Sequence, residues 1–175
     1  CSSDLTIRNG SASAISGVKL LESHNINPNR VTATNNDVTR GGRLVVATAS
    51  GVSLGLATND PRAVLSAQGD TLGGKLQVDP SGVLAAPIDP NGAASDTAIN
   101  AAFDVGTIAA GGSASCTFAM LFGSGQPALE SLFDTLSIVP ATAVDVDYFS
   151  VVAAAGQTLQ FQTLTPGARL GDNPD

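Results

Sequence analysis

The 175 residues carry 8 Lys and Arg against 15 Asp and Glu, a net charge of −7. Eight scattered cations cannot build the basic patch that phosphate backbones require, which excludes nucleic acid as a partner and disfavours anionic membrane surfaces. Hydrophobic residues make up 43% of the chain but include no Trp and one Tyr, Tyr148, so a core must be built from Ala, Val, Leu, Ile and six Phe.

Only Glu22 and Glu130 are Glu, every other acid being Asp, and there are 19 Gly and 9 Pro. Asp, Gly and Pro favour turns where Glu favours helix, so this is the usage of an all-β chain with many turns. No apolar run approaches the roughly 18 residues needed to cross a bilayer, and Val151–Ala155 is far too short. No signal peptide precedes Cys1, so a secreted protein would be in its processed form.

In chain order, Leu5–Asn9 and Ile15–Leu21 predict two strands, with Asn9-Gly10 a hairpin-type turn between them. The Asn-rich stretch from Asn25 to Asp37 predicts a long exposed loop. Leu44–Thr48 and Val52–Ala57 are short apolar strands separated by Ser50-Gly51, and Ala63–Ala67 follows the turn Asn59-Asp-Pro-Arg62. Residues 69–97 are dominated by turn chemistry, including Asp79-Pro-Ser-Gly82 and Asp89-Pro-Asn-Gly92, and predict a surface excursion with one small strand or hairpin.

Ala98–Val105 and Ser113–Phe122 alternate again, the second placing Ala114, Cys116, Phe118 and Met120 on one face. Pro127–Leu136 is the one predicted helix, with Leu129, Leu132, Phe133 and Leu136 at i, i+3, i+4 and i+7. It is expected to cap the sandwich or to link two modules. Tyr148–Val152 and Leu159–Thr163 then predict a last pair of strands around Gly156.

The candidates for chemistry are few. His24 is the single His, in a polar neighbourhood expected to be a solvent-exposed loop, and no nucleophile-elbow sequence accompanies it. Carboxylate pairs lack the aromatic platforms that sugar-cleaving sites usually carry. No Gly pair is followed by the Lys-Ser/Thr of a phosphate loop. No catalytic residue and no cofactor is therefore expected.

Calcium is the most reasonable ion, because Asp89, Asn91 and Asp96, or Asn35, Asn36 and Asp37, offer hard oxygen donors, although turn formation alone also accounts for them. Asn9-Gly-Ser11 is formally a glycosylation acceptor and is read as a turn.

Cys1 and Cys116 leave three alternatives. A disulfide between them would close a loop worth about 4–5 kcal/mol in the chain-entropy model. Cys1 could instead carry lipid, since Cys-Ser-Ser-Asp resembles the start of mature bacterial lipoproteins. In the third, both thiols are free and Cys116 is a small core residue.

Two further resemblances concern architecture. Asp4–Gly10, Gly17–Leu20 and Phe103–Gly112, within residues 4–122, resemble immunoglobulin-like modules of bacterial surface proteins. Asp145-Val-Asp-Tyr-Phe-Ser-Val-Val through Pro166-Gly167 resembles the opening strands of bacterial pre-peptidase C-terminal domains.

The expectation is an all-β antiparallel sandwich with one short helix. Residues 1–123 would form the sandwich, 124–136 the helix or linker, and 137–175 strands of a partial second module or strands completing the first. The resemblances imply a structural or adhesive role in a secreted or cell-envelope bacterial assembly, partnered by other subunits or further domains of the same polypeptide. The alternatives are an accessory module of a secreted hydrolase and a Cys1-anchored lipoprotein.

Overall fold

The computed structural model describes residues 2–25, 33–69, 71–72, 75–76 and 78–136. The predicted strands Tyr148–Val152 and Leu159–Thr163, and with them the second module, lie outside the described residues.

The strands are β1 (Ser2–Arg8), β2 (Ile15–His24), β3 (Thr34–Thr39), β4 (Leu44–Ala49), β5 (Val52–Ala57), β6 (Ala63–Ala67), β7 (Thr71–Leu72), β8 (Lys75–Leu76), β9 (Ala94–Ser95), β10 (Ile99–Ile108) and β11 (Ser113–Gly123). Helix α1 (Pro80–Ala85) lies between β8 and β9, and α2 (Gln126–Thr135) follows β11. Six strands form one antiparallel sheet in the order β1-β11-β5-β4-β3-β9, and three form a second in the order β2-β10-β6. The fold is an all-β sandwich.

The two sheets face each other through Leu20, Val45, Ala47, Leu54, Leu56, Leu65, Ala67, Ile99, Ala101, Phe103, Cys116 and Phe118, all buried. Phe103 and Phe118 come from opposite sheets and tilt at 50° with ring centroids 6.4 Å apart, within the range of favourable edge contacts.

Each sheet is also covered on its outer face. α2 places Leu129 against Leu44, Val46, Ala57, Ala119 and Leu121, while α1 places Val83 against Leu21 and Ala102. A strand covered on both sides has no polar face to present, which is why β4 reads Leu-Val-Val-Ala without alternation. Gly55 on β5 belongs to the same arrangement, since a Cβ there would come within 3.0 Å of Leu44 Cδ1.

Ser50 and Gly51, with φ of 50° and 75°, make the two-residue turn of the β4–β5 hairpin, in which Ala49 faces Val52. Both central residues left-handed is the turn whose twist matches antiparallel strands.

Three expectations are corrected. Asn9-Gly10 does not close a hairpin, because β1 and β2 belong to different sheets. Asn9 is instead buried, and its Nδ2 donates to the carbonyls of Ser13, Ile108 and Ala109 at 2.8–3.0 Å. Its Oδ1 accepts from the backbone and hydroxyl of Ser11, so the amide ties two turns together.

Of the expected loop from Asn25 to Asp37, residues 26–32 lie outside the described residues, and Thr34–Asp37 belong to strand β3, where tertiary pairing with β4 overrides the weak strand preference of Asn. Asp79-Pro-Ser-Gly82 opens α1: Asp79 caps it by accepting from Gly82 N at 2.9 Å, and Pro80 fills the first turn.

Candidate functional site

His24 is not in a loop. It ends β2, where Leu20, Glu22 and His24 lie opposite Phe103, Ala101 and Ile99 of β10 and so face the inter-sheet layer with them. Its Nε2 lies 2.6 Å from Glu22 Oε1, with the side chains 15% and 5% exposed. An acid beside an imidazole can orient and polarise it, which is half of a hydrolytic triad. The other half is a hydroxyl or thiol against the ring, and His24 has none among the described residues. Glu22 and His24 are alternate residues of one strand, so their shared face follows from the period of two.

Cys116 sits mid-strand opposite Leu5 with a free, fully buried thiol. Burial pushes that thiol up to about 11, partly offset by the nearby Arg62 guanidinium and reinforced by Asp60. A nucleophilic or ligating cysteine needs the opposite shift. The expected partner, Cys1, lies outside the described residues. Arg62 itself is forked onto Asp60, Nε to Oδ1 at 2.9 Å and Nη2 to Oδ2 at 2.6 Å, and also donates to the carbonyl of Ser115. The hydrogen bonds from Arg62 hold the Asp60 carboxyl below its usual range. This pair was hidden in a stretch that sequence marks only as the turn Asn59–Arg62.

The first calcium set is brought only partly together. Asp89 Oδ1 accepts from the backbone amides of Val38 and Asn91 at 3.0 and 2.9 Å, and Asn91 Nδ2 donates back to the carbonyl of Asp89 at 3.2 Å. Asp96 is exposed beyond β9. In the second set, Asn35, Asn36 and Asp37 are consecutive on β3, so their side chains alternate between faces and do not converge.

Asn36 is fully buried, accepting from Thr34 Oγ1 and donating to Ser95 and Thr97 hydroxyls at 3.2 and 2.7 Å. Asp37 accepts instead from Gln126 of α2 at 2.6 Å. Among the described residues no three His, Cys, Asp or Glu side chains gather where they could hold a metal ion.

A cluster without a sequence signal anchors α2. Arg40, at the left-handed φ of 54° in the β3–β4 turn, donates to both carboxylate oxygens of Asp134 at 2.9 and 2.8 Å and lies 3.2 Å from Glu130. Glu130 also accepts from Gln126 and Thr39, and these bonds hold its carboxyl below the usual range. The Arg40 and Asp134 side chains meet across a sequence separation of 94, at which one chain gives no periodic signal.

Phe122 and Val52 stand apart from these bonded groups. They are 62% and 47% exposed. Phe122 lies opposite Leu54, two residues from Val52, so the two exposed side chains are diagonal neighbours on one sheet face, about 7 Å apart.

Among the described residues no helix is long and apolar enough to cross a membrane. Comparison with known family models, curated proteins and solved structures returns no match.

Proposed function

We propose that this chain is a non-catalytic structural or adhesive module of a secreted or cell-envelope bacterial assembly, contacting other subunits or further domains of its own polypeptide. The observation that carries the reading is the exposed pair Phe122 and Val52, held at the end of a paired sheet. Large apolar side chains clustered on a surface are characteristic of interaction sites.

The reactive side chains point the same way. His24 is bonded to Glu22, Arg62 to Asp60, and the Cys116 thiol is pushed away from its nucleophilic form. We further read the sandwich as immunoglobulin-like on the phrases Asp4–Gly10 and Phe103–Gly112, and residues 137–167 as the start of a pre-peptidase C-terminal module on Asp145 through Gly167.

The test is made in the source organism. Antibody against the chain should label intact cells, and crosslinking should place it in a larger complex that Phe122→Ser depletes while the variant stays folded. Labelling only after permeabilisation, or a complex indifferent to Phe122→Ser, would contradict the proposal.

A further inference from the structure

Asn-Gly occurs at two places in the chain, Asn9-Gly10 and Asn91-Gly92. At such a pair the backbone can attack the asparagine side chain, because glycine puts no side chain in the way of its own nitrogen. The fold treats the two pairs differently.

Asn9 is 2% exposed, and its carboxamide is held at both ends. Nδ2 donates to the carbonyls of Ser13, Ile108 and Ala109, and Oδ1 accepts from the amide and hydroxyl of Ser11. Turning that carboxamide toward the Gly10 nitrogen breaks these bonds and leaves partners that are shielded from water.

Asn91 is exposed, in a turn where it and Gly92 have φ of 52° and 76° and the Ala93 N–H donates to the Pro90 carbonyl at 3.1 Å. Among the described residues its side chain makes one hydrogen bond, from Nδ2 to the Asp89 carbonyl at 3.2 Å. The Gly92 N–H donates to the Asn36 carbonyl at 2.8 Å, so attack waits on the turn opening. Exposed turns open locally at little cost.

We propose that Asn91 is a site of spontaneous covalent modification, converted to aspartate and isoaspartate in the folded protein while Asn9 is protected. The Gly92 nitrogen gives up its proton and bonds to Asn91 Cγ, and Nδ2 leaves as ammonia with that proton, closing a cyclic imide. Water then opens the imide. Cleavage at Cγ gives aspartate, and cleavage at the main-chain carbonyl gives isoaspartate.

Either product sets a new carboxylate close to Asp89. Asp89 accepts from the Val38 N–H and Gly92 donates to Asn36, so this turn is pinned to β3. Isoaspartate routes the main chain through an extra carbon and should break the Gly92 link. The inference is independent of the adhesive reading, since it uses neither Phe122 nor Val52.

The full chain, kept folded at mildly alkaline pH and sampled over weeks, is digested and mapped by mass spectrometry beside a parallel sample in urea. In the folded chain Asn91 should convert about tenfold faster than Asn9 or more, because several shielded bonds must break before Asn9 reacts. In urea the two should convert at similar rates. Amide exchange at Gly92 should quicken in the isoaspartate fraction.

Asn9 converting as fast as Asn91 in the folded chain would overturn the proposal, as would an unchanged Asn91 while the urea sample is converted. A preference for Asn91 that persists undiminished in urea would also overturn it, by placing its origin in the neighbouring residues and not in the fold. Unchanged exchange at Gly92 would overturn the effect on β3.

Discussion

The single residues that matter most are polar groups whose partners are far away in sequence. Asn9 is a turn residue by composition, yet its amide serves three carbonyls and two donors shared between the β1–β2 connection and the β10–β11 turn. Truncation leaves several part-buried groups unpaired at once, so Asn9→Ala should cost about 2–4 kcal/mol in urea unfolding, well above an ordinary turn substitution.

Cys116 gives a pH dependence of known sign. The unfolded thiol titrates at about 8.5, whereas the folded one holds its proton until about 11. Between those values the unfolded chain binds fewer protons than the folded one, so stability falls as pH rises through this window and is intact below it. Unfolding of the native chain and of Cys116→Ala, compared from pH 8 to about 11, should show this alkaline loss in the native chain alone. Neither property was legible in the residues themselves: Asn9-Gly10 carries the same letters whether it closes a hairpin or a crossover, and burial of a thiol depends on what crosses above it.

At the level of elements, apolar patterning located seven of the strands, by alternation in β10 and β11 and as short apolar runs in β4 and β5. It failed at β3, whose Thr-Asn-Asn-Asp run has apolar character only at Val38 and is held by Asn36 bonding inward and β4 pairing alongside. It also failed to show what α2 does. The helix was legible from Leu129, Leu132, Phe133 and Leu136, but its docking depends on β4, β5 and β11 leaving an apolar outer face.

Two forces hold α2, and their magnitudes differ. Arg40, Glu130 and Asp134 form an ion-pair cluster whose side chains are 33%, 20% and 54% exposed, so solvent screens it. Leu129 is fully buried. Arg40→Ala should therefore lower the unfolding temperature only slightly, by an amount that shrinks in high salt, while Leu129→Ala should cost about 2–5 kcal/mol regardless of salt. Thermal unfolding of the two variants at low and high ionic strength separates them.

For the whole molecule, an all-β sandwich followed from turn-rich composition and alternation. Its layering did not, because covering both sheets with helices requires knowing which strands are central. The candidate site was least legible of all: His24 met its carboxylate two residues away on a shared strand face, yet it reads as a loop residue until β2 extends to residue 24.

At the end of β2, Glu22 is buried and His24 partly so, and the two are bonded to each other on the face turned to the other sheet, which is where the proposed non-catalytic reading gives them a packing role. The most direct test is to assay the full chain and His24→Ala on peptide, ester and glycosidic model substrates while measuring the unfolding midpoint of each. A packing role predicts no turnover by either protein and a lower midpoint for the variant. Turnover that His24→Ala abolishes, with the midpoint unchanged, would contradict it.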